Sequence, residues 1–125
     1  MNRSLKIFVV ENHDDTLVYL AKYLEQKGHE VLTATDMASA LDHLRSVRTD
    51  VLISDIGLPD GDGWQLMSQL DPKPFGIAMS GYGTGADCQK SRASGYKHHL
   101  IKPFLPDDLD ELLDRAEAEL SLSGA

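Results

Sequence analysis

The chain has 125 residues, 42% hydrophobic and 26% charged, and a formal net charge of -8 from 12 basic and 20 acidic side chains. That size suits one domain over residues 1–125, with a core that needs no staples, and the acidic balance argues against direct binding to nucleic acid or an anionic membrane. Cys88 stands alone, so an intrachain disulfide is excluded, and the apolar run Ile7 to Val10 is too short for a signal-peptide core or a membrane span; the cytoplasm is the expected location.

Short apolar runs alternate with helical patterns along the chain. Leu5 to Val10 predicts a strand. A helix follows with Leu17, Leu20, Ala21 and Leu24 on one face, Asp14 or Asp15 as its cap and Gly28 at its end. Val31 to Ala34 predicts a second strand. Asp36 caps a second helix whose apolar face is Met37, Ala40, Leu41, Leu44 and Val47. Val51 to Ile53 reads as a strand buried on both faces, and Pro59, Gly61 and Gly63 mark a loop. A short helix carries Leu66, Met67 and Leu70 and is stopped by Pro72 and Pro74. Phe75 to Met79 predicts the fourth strand. Ala86 to Ser94 predicts a helix of small and polar residues, expected to be the least stable element. Leu100 and Ile101 belong to a fifth strand, Pro106 opens the last helix, and Ser121 to Ala125 form a polar tail.

A strand–helix unit repeated five times implies a parallel sheet with helices on both faces. The fold class expected is α/β, flavodoxin-like and doubly wound, with strand order 2-1-3-4-5. Four of these strands end in polar residues: Glu11 and Asn12, Asp55, Ser80 and Lys102. All four ends lie on the carboxyl edge of a parallel sheet, where open α/β sheets bind ligands. Two carboxylates and an amide oxygen are hard ligands suited to Mg²⁺. A carboxylate can also attack phosphorus to give an aspartyl-phosphate, with a lysine and a hydroxyl stabilising the phosphoryl oxygens. Singly, each residue reads as a cap, turn or surface charge; together they form a coherent phosphoryl-accepting site.

The chain resembles, along nearly its whole length, the receiver domains of response regulators and hybrid histidine kinases. The segments that carry the resemblance are Val9 to His13, Asp55 to Gly63, Ser80 to Gly83 and His98 to Phe104. The stretch from Gly95 to Pro103 is most similar to receivers attached to hybrid sensor kinases. The resemblance implies a phosphoacceptor, Asp55, and Mg²⁺ held by Glu11, the residue at position 12, Asp55 and the backbone carbonyl of Gly57. It implies that Ser80 and Lys102 engage the phosphoryl group, that His99 occupies an aromatic switch position, and that the bond before Pro103 is cis. It also implies a signalling switch rather than an enzyme. The implied partners are a histidine kinase or a histidine phosphotransfer domain, and a second copy through the face of the fourth helix, fifth strand and fifth helix.

Three departures stand out. Asn12 replaces the second pocket aspartate, a loss of ligand charge worth on the order of 1–4 kcal/mol in metal binding. His99 is smaller and more polar than the usual tyrosine or phenylalanine, and the third helix is short. Asn12 leaves two functions open: a phosphoacceptor with a weakened metal site, or an atypical receiver that acts by phosphate-independent binding. Among other features, His98 and His99 point to opposite sides of a strand and do not chelate one ion. His13 reads as a solvated loop residue, Cys88 as an ordinary thiol, and Asp60 and Asp62 as turn residues rather than a calcium loop. A flavin module on the same fold would need a Ser-, Thr- and Gly-rich phosphate loop after the first strand, where this chain has Glu11-Asn12-His13-Asp14-Asp15.

Overall fold

Five apolar runs become the strands of one parallel sheet, whose three central strands bury both faces between layers of helix. The computed structural model describes residues 4–81 and 85–122. In chain order the elements are β1 (Lys6–Val10), α1 (Asp14–Gln26), β2 (Glu30–Ala34), α2 (Met37–Leu44), β3 (Val51–Asp55), β4 (Gly57–Leu58), β5 (Gly61–Asp62), α3 (Gly63–Ser68), β6 (Phe75–Ser80), α4 (Gly85–Ser94), β7 (His98–Ile101) and α5 (Pro106–Leu122). The main sheet has the order β2-β1-β3-β6-β7. Counting only its own strands, this is the expected 2-1-3-4-5. β4 and β5 form a separate two-residue antiparallel pair in the segment expected to be a plain loop.

The apolar residues sort into two buried clusters, one on each face of the sheet. Ile7, Val9, Ile53, Ile77 and Met79 meet Leu17, Leu20 and Leu24 of α1 and Leu109, Leu113 and Ala116 of α5. Phe8, Val10, Leu52 and Ala78 meet Ala40 and Leu41 of α2 and Leu66 and Met67 of α3. The alternation within each strand sends successive residues to opposite clusters, as the pleat requires. Among the described residues, no helix is long and apolar enough to cross a membrane.

Helix ends follow the sequence with corrections, the first being that α3 stops at Ser68, before Leu70, which the sequence pattern places on it. Neither Asp14 nor Asp15 caps α1: the N-cap is His13, without a side-chain bond, and the two aspartates sit in the first turn, where they oppose the positive end of the helix dipole. Gly28 ends α1 with φ +94, a left-handed conformation that favours glycine. Asp36 caps α2 by accepting from the Ser39 N–H at 2.7 Å, but α2 stops at Leu44, and Val47, expected on its apolar face, is 37% exposed. The N–H groups of Ser46 and Val47 both turn back to the His43 carbonyl, which closes the helix early. α5 runs through Leu122, past the expected start of the polar tail.

Candidate functional site

The parallel register brings the polar strand ends to one edge. Val10 pairs with Ser54 and Asp55 with Met79, while Ser80 pairs with Ile101. Glu11 follows β1 directly and is fully buried, its N–H bonded to the Ala34 carbonyl at 3.1 Å. Asp55 closes β3 with only 4% exposure. Lys102 reaches over from the end of β7 and places Nζ 2.6 Å from Glu11 Oε2 and 2.6 Å from Asp55 Oδ1. One ammonium thus bridges two buried carboxylates, the compensation that buried charges require.

The two carboxyl groups are driven apart in acidity. Burial raises Asp55, and the neighbouring Glu11 raises it further against the pull of Lys102, so that it stands near 7. Burial also acts to raise Glu11, but bonds from Asp55, Lys102 and His13 outweigh it and hold Glu11 well below the usual carboxylate range. Lys102 is raised: burial opposes its charge, and its bonds to Asp55 and Glu11 prevail. His13 differs from its expected solvated role. Its side chain is 73% exposed, yet its backbone N–H and Nδ1 both lie 3.1 Å from Glu11 Oε1.

A cavity of about 480 Å³ opens beside Asp55, lined among others by Asn12, Gly57, Trp64, Ser80, His99 and Lys102. Asn12 itself is exposed at its rim. One ligand atom each from Glu11, His13 and Asp55 lies within 4.8 Å of the other two. Two carboxylates beside a cavity with backbone and amide oxygens form a hard donor set. These residues fit a divalent cation of the Mg²⁺ type.

On the far side of the cavity, side chains are linked in a row. Ser80 Oγ lies 2.7 Å from His99 Nε2, Ser91 Oγ lies 2.9 Å from His99 Nδ1, and Trp64 Nε1–H donates to Ser91 Oγ at 2.9 Å. His98 points the other way and meets the Phe75 ring at 5.6 Å. Tyr82 and Gly83 of the Ser80 segment lie outside the described residues. The Lys102–Pro103 peptide bond is cis, as is Asp71–Pro72. Gly63 is required at the start of α3, because a Cβ there would come 2.5 Å from the backbone oxygen of Asp55.

Sequence reasoning missed three contributors. Trp64 and Ser91 join the site through a bond spanning 27 residues, although Trp64 is the only tryptophan and follows the glycine-rich segment after Asp55. Asp60, read as a turn residue, accepts from the N–H groups of Met37 and Ala38 at 2.7 and 3.0 Å, so it also caps α2.

Residues 7–114 match the family model described as response regulator receiver domain. The chain belongs to this family. It is 28% identical over 120 residues to sporulation initiation phosphotransferase F of Bacillus subtilis, covering 94% of each chain. It is 31% identical to the transcriptional regulatory protein PrrA of Mycobacterium leprae, covering 98% of this chain and 52% of that protein. It is also 31% identical to the CAI-1 autoinducer sensor kinase/phosphatase CqsS of Vibrio cholerae, covering 90% of this chain and 17% of that protein. Among solved structures, the receiver domain protein of Methanospirillum hungatei superposes with a TM-score of 0.83 at 27% identity, over 94% of this chain and 99% of that one. The receiver fold and its two-component signalling class therefore agree with the resemblance that the four sequence segments carry.

Proposed function

We propose that the chain is a cytoplasmic phosphoacceptor switch, comprising residues 1–125 as one receiver domain, in which Asp55 takes a phosphoryl group from a phosphohistidine. The observation that carries this reading is Asp55 itself: a buried carboxylate at the end of a central strand, against a cavity and 2.6 Å from Lys102. In the transfer, a carboxylate oxygen of Asp55 forms a bond to phosphorus as the bond from phosphorus to the donor imidazole breaks, and the imidazole nitrogen keeps the electron pair. Lys102 and Ser80 meet the phosphoryl oxygens, and His99 responds on the side facing α4 and α5. Glu11, Asp55, the Gly57 carbonyl and Asn12 would hold Mg²⁺, which would neutralise charge on the transferring group.

The donor in this reading is a histidine kinase or a histidine phosphotransfer domain. The output passes through protein contacts, including a second copy on the face of α4, β7 and α5, where Ile101 and Leu105 are exposed. The chain acts as a switch and not as an enzyme on other molecules. Asn12 supports a second reading: with a neutral amide at the cavity rim, the metal site is weakened and the domain signals by binding alone.

Intact mass after incubation with Mg²⁺ and acetyl phosphate separates the two. A gain of one phosphoryl group in the wild type, absent from Asp55→Ala, supports the acceptor reading. No gain at high Mg²⁺ supports phosphate-independent binding.

A further inference from the structure

Lys102 and His13 divide the Glu11 carboxylate between them. Lys102 Nζ lies 2.6 Å from Oε2, and His13 Nδ1 lies 3.1 Å from Oε1. Beside them, position 12 carries a neutral amide in place of an acidic side chain. The pocket thus has one charged oxygen donor fewer, and a ring nitrogen stands next to the carboxylates that remain. Ligand atoms of Glu11, His13 and Asp55 lie within 4.8 Å of one another. Mg²⁺ is held by oxygen ligands, whereas imidazole suits first-row transition ions. Two ligands bound to one such ion at about 2.1 Å, in octahedral or tetrahedral geometry, lie about 3.0–3.4 Å apart. The 3.1 Å between Nδ1 and Oε1 already has that spacing.

We propose that His13 is a nitrogen ligand to the cation held by Glu11 and Asp55, and that it turns the site toward divalent first-row transition ions over Mg²⁺. The inference deepens the reading given above: it rests on the cation site of that reading and not on the transfer step. The His13 ring has no competing structural duty, since His13 is the N-cap of α1 without a side-chain cap bond. Its backbone N–H bonds to the same Oε1 at 3.1 Å, which keeps the residue against the carboxylate when the ring bond to Glu11 is exchanged for a metal. The side chain is 73% exposed, so a proton displaced from Nδ1 passes to Nε2 or to water. A neutral amide weakens the hold on every divalent cation, and the ring makes up the loss only for ions that accept nitrogen.

The test is binding of the metal chlorides alone to the full chain. Oxygen donors by themselves favour Co²⁺ over Mg²⁺ to some degree, so the readout is the share of that preference which the ring carries. Titration calorimetry gives the two affinities and their ratio. His13→Ala should lower the ratio of Co²⁺ to Mg²⁺ affinity about tenfold or more, at least what losing a metal ligand's own hydrogen-bond partner costs. Circular dichroism checks that the variant keeps its fold. In the Co²⁺-loaded wild type, a hyperfine-shifted, exchangeable ring N–H proton resonance should appear, and it should be missing from His13→Ala.

An affinity ratio that His13→Ala leaves unmoved overturns the proposal, because the cobalt then sits on oxygen alone or on another histidine. So does a cobalt-loaded chain with no shifted ring resonance that depends on His13. Neither readout uses phosphoryl transfer. A chain that holds Co²⁺ through His13 and takes no phosphoryl group loses the acceptor reading and keeps this ligand, and a chain that is phosphorylated with its ratio unmoved does the reverse.

Discussion

α1 and α4 are both helices laid on the same sheet, yet they are held by different means. α1 buries Leu17, Leu20 and Leu24 in the core. α4 contributes no residue to either apolar cluster, and Ser91 is its one buried side chain. Its seating depends on the Trp64 and His99 hydrogen bonds to Ser91 and on Lys90 over the Trp64 ring. Apolar burial holds an element in place whatever the state of the site. The polar bonds that hold α4 lead to Ser80, at the edge of the Asp55 cavity.

The sharpest way to break this contrast is to empty the α1 side. Leu24→Ala removes a fully buried leucine and should lower unfolding free energy by about 2–5 kcal/mol in urea titration. The corresponding change in α4, Ser91→Ala, should cost about 1–2 kcal/mol, because it strands the Trp64 N–H rather than opening an apolar cavity. Native-state hydrogen exchange should show α4 opening locally, well below the free energy at which α1 exchanges; equal protection in the two helices would break the comparison.

The site side of the comparison is sharpened by pH. An Asp55 carboxyl raised to about 7 keeps its proton in the fold where the unfolded chain has lost it, so the stability it brings is full below about pH 4 and is lost as pH rises through 7. Asp55→Asn has no such proton to lose. Without divalent cation, thermal melts should therefore show the asparagine variant gaining on the wild type between pH 4 and 7. Added Mg²⁺ should narrow the gap by stabilising only the wild type. The smallest effect expected is Lys90→Met, about 0.5–1 kcal/mol for an exposed cation over a ring, read from the same urea titration.

Much of this was legible in the sequence because both signals were local. Val51 to Ile53 and Phe75 to Met79 read as strands from their apolar runs, and Glu11, Asp55, Ser80 and Lys102 were visible as polar residues at strand ends. What was not legible depends on contacts across the chain. Nothing in the pattern around Ser91 shows that Trp64 will donate to it, and nothing near Asp60 points to the N-terminus of α2. The end of α2 was misplaced because Val47 continues the helical period, while the backbone turns at His43 for reasons that periodicity does not carry.

Asp60 gives the cavity a fixed wall. By accepting from Met37 and Ala38, it ties the segment that follows Asp55 to a helix seated in the core. The opposite wall, Ser80 and His99, leans on a helix with no apolar grip. The cavity is therefore a clamp with one anchored jaw: its Asp60 side is tied to the core, and its Ser80 side rests on a helix held by polar bonds alone.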